Sequence, residues 1–195
     1  AEPQEDGTYL LTGTKMFITN GGGGLGFVLA RIKGAPEGLG GISLFLCEQE
    51  LDGKQNYIVS KNEHKMGLHG SFTCEIVYEK SIAKLVGKEN KGFRLMLHLM
   101  NEARIGVGLQ CVGGIEASLS YARKYAEDRV QFGKKLLDLP LYARNLKDWE
   151  IERDGFRAMM VDTVSYFDQY QKIDLMKRHG KEITPELAKQ FEHAK

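Results

Sequence analysis

The alternation of apolar and polar positions divides the chain into two regimes. Up to about residue 83, short β-rich runs occupy Tyr9–Leu11, Lys15–Thr19, Phe27–Lys33, Ile42–Cys47, Tyr57–Ser60 and Phe72–Tyr78. Turn signals separate them: "EDGTY", "LTGTK", a glycine run, "GAPEGLGG", "LDGKQN" and "HKMGLHGS". In the last run Phe72, Cys74, Ile76 and Tyr78 share one face, with Thr73, Glu75 and Glu79 on the other. That period of two marks a half-buried strand. Regularly spaced short strands without intervening helices predict a small antiparallel barrel or sandwich.

From about Asn90 the period lengthens. Phe93, Met96, Leu97, Met100, Arg104, Val107, Cys111, Ile115 and Leu119 recur at three and four residues, predicting a helix to about Glu127, roughly 55 Å long. Gly106, Gly108, Gly113 and Gly114 lie inside it. Each costs about 1 kcal/mol against alanine, so close approach of another helix or a ligand is expected there. "DRVQFGKK" breaks the pattern, and a second helix follows from about Pro140, with Leu146, Trp149, Ile151, Phe156, Met159, Met160 and Val164 supplying apolar faces. A third starts at "TPEL", with Thr184 as N-cap and Pro185 at the first helical position. That helix reaches Lys195 without a capping residue, and the first strand begins almost at Ala1. The sequence is therefore expected to be a piece of a larger protein.

Composition narrows the function classes. The 195 residues are 42% hydrophobic and 27% charged, with 27 basic residues against 26 acidic ones. That balance gives no electrostatic case for nucleic acid or an anionic membrane. Cys47, Cys74 and Cys111 are an odd number without a CxxC pair, and read as small core residues of a reducing compartment. No apolar run approaches the ~20 residues of a membrane span, so a soluble intracellular protein is expected. His64, His69, His98, His179 and His193 have no metal-ligand spacing. The acidic residues around Asp148–Asp154 read as a solvated helix face.

Four stretches invite chemistry. In "NGGGGLG", Gly21, Gly23 and Gly26 fit G-x-G-x-x-G, but a dinucleotide fingerprint needs a helix after the glycines. Here "FVLARIK" follows, which predicts a strand, so the run reads as a loop. "TGTKMFITNGG" reads either as an edge strand or as a strand end holding a polar heterocycle. "EDRVQFGKK" reads either as a basic helix C-terminus or as a phosphate clamp, with Arg129 bidentate and Gln131 donating. "MNEARIG" puts Glu102 and Arg104 two apart in an apolar helix, hence on different faces.

Taken in order, "GTKMFITNG" (13–21), "KMGLHGSFT" (65–73), "VGKENKGF" (86–93), "NEARIGVGLQ" (101–110) and "YAEDRVQFGK" (125–134) resemble the acyl-CoA dehydrogenase family. The resemblance covers the chain to about residue 165. It implies an α+β fold: an antiparallel middle β-barrel domain over 1–85, then over 86–195 the first long antiparallel helices of a truncated four-helix bundle. Ala1-Glu2-Pro3 keeps only part of a family motif "T-E-P-x-A-G-S-D", and no role is carried over to it. The resemblance further implies FAD, with Phe17, Ile18 and Thr19 lining the flavin. It places Arg129 and Gln131 on the pyrophosphate, from a neighbouring subunit, with Phe132 packed beside them. Arg104 and Asn101 would lie at the acyl-CoA site. The implied reaction is α,β-dehydrogenation of an acyl-CoA, with electron-transfer flavoprotein or a similar acceptor. The implied assembly is a homodimer or homotetramer, in bacterial cytoplasm or mitochondrial matrix, with no metal.

The catalytic glutamate of most members would lie downstream of Lys195. Some branches carry it just before the arginine matching Arg104, where this chain has Ala103. Glu102 lies about 100° away around the helix, so no catalytic residue is assigned and the segment alone is expected to be inactive. A likeness to a branch acting on methylthio-propionyl-CoA is carried by "HKMGLHGSFTCEI" and "LMNEARIGVGLQ". Competing readings are an acyl-CoA oxidase or nitroalkane oxidase relative, a non-catalytic DNA-binding flavoprotein relative, and a cofactor-free helical assembly module.

Overall fold

The computed structural model describes residues 1–194, with side chains as far as Glu192. The readings made above for the His193 side chain and for Lys195 lie outside the described residues. The chain forms two compact units, Ala1–Asn101 and Glu102–Lys195.

The first unit holds β1 (Glu2–Pro3), β2 (Tyr9–Thr19), β3 (Leu25–Arg31), β4 (Ile42–Glu48), β5 (Glu50–Leu51), β6 (Lys54–Gln55), β7 (Ile58–Asn62) and β8 (Thr73–Val86). Its main sheet runs β1-β2-β8-β4-β3, with β7 joining β8. The spine is β8. One edge pairs antiparallel with β2 from Thr73↔Thr19 to Ala83↔Tyr9. The other edge pairs first with β7, at Cys74–Val77, and then with β4, at Lys84–Val86. Between these partners Lys80 adopts φ 53° and the register with β2 shifts at Leu11/Thr12. This bulge bends the strand so that it serves two neighbours. It also slips the alternation by one residue: Cys74, Ile76 and Tyr78 are buried, then Ser81 and Ala83. That slip is why the period of two fades after Tyr78 while the strand continues. Phe72 precedes the strand and is exposed, unlike its predicted face-mates.

The two ends of the sheet path come together. Ala1 donates its amino N–H to the Arg31 carbonyl at 2.7 Å, and the Lys33 N–H donates to the Ala1 carbonyl at 2.9 Å. Leu11, Val28, Phe45, Cys47, Tyr57, Cys74, Ile76 and Tyr78 fill the core. The predicted turn at "LDGKQN" is the tight loop of the β5–β6 hairpin. Asp52 and Gly53 both have positive φ there, the combination a type I′ turn requires.

Gly92 opens helix α1 (Gly92–Asp128) against the back of β4. A Cβ there would run into the Ser43 and Leu44 backbone, with Ser43 Cα at 2.7 Å. The Asn90 N–H donates to Ser43 Oγ at 2.8 Å, and Tyr9 donates to Glu89 at 2.8 Å. These contacts give a packing reason for Gly92 in the "VGKENKGF" segment.

After α1 come a hairpin of β9 (Val130–Gln131) and β10 (Lys134–Lys135), then α2 (Pro140–Arg178) and α3 (Pro185–Ala194). In the second unit α1 and α2 are antiparallel, since partners on α2 rise in number as those on α1 fall. Tyr142 bonds Ala122, Arg153 and Arg157 pair with Glu116, Met160 meets Gly108, and Gln171 bonds Glu102. As predicted, Pro140 takes the first turn of α2 and Thr184 Oγ1 accepts the Leu187 N–H at 3.3 Å. Tyr170 stacks on Phe191 at 5.0 Å, tying α3 to α2.

The helix glycines depart from expectation. Among the described residues, a Cβ on Gly108 alone of the four would meet a neighbour, Met160; one on Gly106, Gly113 or Gly114 would meet nothing within 4 Å. Likewise Leu119 and Leu146 are buried, but Val107, Leu109, Trp149, Ile151, Phe156 and Met159 are exposed. Two long helices paired side by side have too little surface to cover both apolar stripes.

Candidate functional site

The end of β2 is irregular. Its register with β8 shifts between Lys15 and Ile18, and within that bulge Phe17 adopts φ 58°. A side chain in left-handed backbone costs about 1–2 kcal/mol, yet the Phe17 ring is 66% exposed and gains little burial in return. Ile18 turns inward to pack on the core. Thr19 returns to register opposite Thr73, with its side chain exposed. Because β1 pairs only with Tyr9 and Leu10, the outer edge of β2 from Thr12 to Thr19 carries no strand among the described residues. The Asn20 N–H, next along, donates to the Phe72 carbonyl at 2.7 Å.

The glycine run has a packing role here. Gly21 is buried, and a Cβ on it would press on Ile76 Cδ1 at 2.9 Å and Cys74 Cβ at 3.0 Å. Its carbonyl accepts the Tyr57 hydroxyl at 3.2 Å. Strand β3 follows, not a helix, so the dinucleotide pattern is coincidental.

The "DRVQFGKK" stretch is the β9–β10 hairpin. Lys134 pairs with Gln131 and Lys135 with Val130, around Phe132 at φ 52° and Gly133 at φ 74°. This is a two-residue type I′ turn, an unusual place for phenylalanine. Phe132 is 91% exposed at the tip. The hairpin is closed by the Leu136 N–H on the Arg129 carbonyl at 2.9 Å. The side chains of Arg129 and Gln131 are exposed, and neither has a hydrogen bond or ion pair among the described residues.

Asn101 and Arg104 are both exposed on α1, three residues apart. Between them the Glu102 carboxylate accepts the Gln171 amide at 2.9 Å. The structure thus gathers Phe17, Ile18 and Thr19 on one strand end and Arg129, Gln131 and Phe132 on one hairpin. Sequence reading missed the backbone strain at both aromatic residues; a bulky residue at a two-residue turn before glycine was its only trace. It also assigned no role to Lys65, which opens the "KMGLHGSFT" segment. Among the described residues no cluster of His, Cys, Asp or Glu could hold a metal. No helix there is long and apolar enough to cross a membrane.

In class, this is an α+β chain in which an antiparallel sheet precedes long helices, with donor-bearing segments left open on a strand end and an interhelical hairpin. Residues 90–191 match the family model "Acyl-CoA dehydrogenase, C-terminal domain". The chain belongs to the acyl-CoA dehydrogenase family. It is 33% identical over 191 residues to the short-chain specific acyl-CoA dehydrogenase of Megasphaera elsdenii, covering 96% of this chain and 46% of that protein. It is 35% identical over 189 residues to the 3-methylmercaptopropionyl-CoA dehydrogenase of Ruegeria pomeroyi, covering 86% of this chain and 32% of that one. Among solved structures, butyryl-CoA dehydrogenase from M. elsdenii superposes with TM-score 0.73 at 33% identity, over 97% of this chain and 47% of that one. The chain spans about half, or less, of the length of these relatives. Its fold is that of the middle and C-terminal domains of acyl-CoA dehydrogenases.

Proposed function

We propose that the chain is part of an FAD-dependent acyl-CoA dehydrogenase, with residues 1–85 as its middle domain and 86–195 as the first helices of its C-terminal domain. The observation that carries this reading is a set of donors of the right chemistry without hydrogen-bond or ion-pair partners among the described residues. Thr19 stands exposed at a bulged strand end, and Arg129 and Gln131 stand on a hairpin, in segments that match the family's motifs. A hydroxyl beside an open strand edge suits a polar heteroaromatic ring. A guanidinium with an amide suits a pyrophosphate. The residues therefore fit FAD.

In this reading the Thr19 hydroxyl would hydrogen-bond the flavin ring, which Phe17 would flank, while Ile18, packed on the core, would line it with its backbone. Arg129 and Gln131 hold the pyrophosphate of a neighbouring subunit's cofactor, and Phe132 packs beside it. Asn101 and Arg104 face the acyl-CoA. The reaction removes a proton from the α-carbon and a hydride from the β-carbon of the thioester. FAD, when bound, supplies the hydride acceptor. Hydrogen bonds to the thioester carbonyl stabilise the enolate-like charge that develops.

No base is assigned within residues 1–195. Ala103 has no acid, and Glu102 is engaged by Gln171. We assign that role to chain outside this segment, so residues 1–195 alone should reduce no acceptor in the presence of acyl-CoA. The apolar faces left open on α1 and α2 support a larger helical bundle and a homo-oligomer, dimer or tetramer. Electron-transfer flavoprotein or a similar acceptor would take the electrons, in bacterial cytoplasm or the mitochondrial matrix.

The test is the visible absorption of the full-length protein purified without added cofactor. A bound-flavin band is expected. A colourless protein that also fails to take up FAD would overturn the reading in favour of a cofactor-free assembly module.

A further inference from the structure

The loop from 63 to 72, joining β7 to β8, carries no secondary structure, yet one side chain ties it together. Lys65, half-buried, sends its ammonium to two carbonyls of its own loop, Leu68 at 2.8 Å and Ser71 at 2.6 Å. The Lys65 carbonyl in turn accepts His69 Nε2–H at 2.6 Å, since a carbonyl leaves the imidazole nitrogen only the donor role. Leu68 holds a left-handed φ of 54° at the centre of this knot. The apolar tips Met66 and Leu68 point outward and add almost no burial, Met66 being fully exposed. Apart from the Ser71 N–H on the Leu68 carbonyl at 3.4 Å, the hydrogen bonds within this loop, among the described residues, all involve Lys65.

What the loop holds is the end of β2. Ser71 leads directly into Phe72, whose carbonyl accepts the Asn20 N–H at 2.7 Å. The next residue, Thr73, is the register partner of Thr19, and its carbonyl accepts the Glu63 N–H at 2.7 Å. A short path thus runs from the Lys65 ammonium through the Ser71 carbonyl and the Phe72 carbonyl to the residue after Thr19. Among the described residues the outer edge of β2 has no strand to steady it there, so its pairing at that end is with β8 and the segment leading into it. Charge-assisted hydrogen bonds are roughly twice as strong as neutral ones, which makes Lys65 the firmest tie in this support.

We propose that Lys65 is a positioning residue: by fixing the Ser71 and Phe72 carbonyls it sets the end of β2, and with it the orientation of Phe17 and the Thr19 hydroxyl toward the flavin. The proposal rests on the FAD reading above. It does not make Lys65 a ligand of the cofactor. Its ammonium is spent on carbonyls of its own loop.

The experiment uses the full-length protein, with FAD affinity measured by titrating apoprotein and following flavin fluorescence, together with the visible spectrum of the bound flavin. Lys65→Met keeps the apolar stem and removes all three donors. It is expected to weaken FAD binding about tenfold, the scale of a lost charge-assisted hydrogen bond, and to shift the bound-flavin absorption envelope. Lys65→Arg, which can reach two carbonyls with its fork, should restore the parent spectrum. Met66→Gln, in the same loop but fully exposed, should leave both readouts unchanged. FAD affinity and spectrum equal to the parent's in Lys65→Met would overturn the proposal, as would a spectral shift of equal size in Met66→Gln. Should Lys65→Met not fold, Lys65→Gln, whose amide reaches one carbonyl, carries the test by the same two readouts: a weaker, shifted complex supports the proposal and a parent-like one overturns it. A parent protein that binds no FAD would instead defeat the reading on which the proposal stands.

Discussion

Phe17 and Phe132 are exposed aromatic residues in left-handed backbone, where a bulky side chain is an outlier. Neither recovers that cost by burial within its unit. Each sits beside donors that have no partner among the described residues, which is the pattern of strain retained at a ligand site. Phe17→Gly should therefore raise the thermal stability of the protein without cofactor, by about 1 kcal/mol, while weakening FAD binding. A loss of both stability and affinity would mean that the ring is structural. Arg129→Ala should weaken FAD binding by about 10- to 100-fold, the value of one charge-assisted contact, and leave the unfolding midpoint of the cofactor-free protein unchanged, because the exposed guanidinium makes no hydrogen bond or ion pair among the described residues. The placement of these residues at a strand end and a tight turn was legible, because each motif combines a donor with a turn. The bulge at Phe17 was not legible, since a one-residue slip in pairing leaves no mark on the alternation of a strand whose outer face is exposed anyway.

At the scale of elements, what could be read depended on whether an element buries one face. The face of Cys74, Ile76 and Tyr78 was legible because the core demands a period of two. The continuation of β8 to Val86 was not, because the bulge at Lys80 shifts the phase. Gly92 and Gly113 make opposite predictions. Gly92→Ala would push a methyl into the Ser43–Leu44 backbone and should destabilise the protein by about 1–3 kcal/mol, measured by denaturant unfolding. A Cβ at Gly113 would meet nothing within 4 Å among the described residues, so in residues 1–195 alone Gly113→Ala should stabilise α1 by up to about 1 kcal/mol. The same substitution in the full-length protein reports on what covers that face: a loss of stability there would show that a further helix or subunit closes on it.

For the molecule as a whole, burial sorts the cysteines. Cys47 and Cys74 are buried and Cys111 is exposed, and burial pushes the Cys47 thiol up from 9.0 to about 11. Only Cys111 should react with a thiol reagent at neutral pH in the native protein. Labelling of Cys47 without unfolding would contradict the packing described. Above about pH 9 the unfolded chain releases a proton that folded Cys47 retains, so the unfolded state binds fewer protons and stability falls with rising pH through about 11. Tyr57 and Tyr78, raised by the same burial, act in the same direction. The two-regime organisation was legible because the hydrophobic period changes once along the chain. The degree to which α1 and α2 stay open was not, since an apolar stripe in sequence does not say which surface covers it.

We propose that the full-length protein removes a proton and a hydride from adjacent carbons of an acyl-CoA. The most direct measurement is anaerobic addition of saturated acyl-CoAs of graded chain length, methylthio-propionyl-CoA included, to the flavin-bound protein, with the flavin band followed in time. Bleaching by at least one of them is expected, with the 2-enoyl-CoA as product. A flavin that stays oxidised with every acyl-CoA, yet is reduced by dithionite, would contradict it.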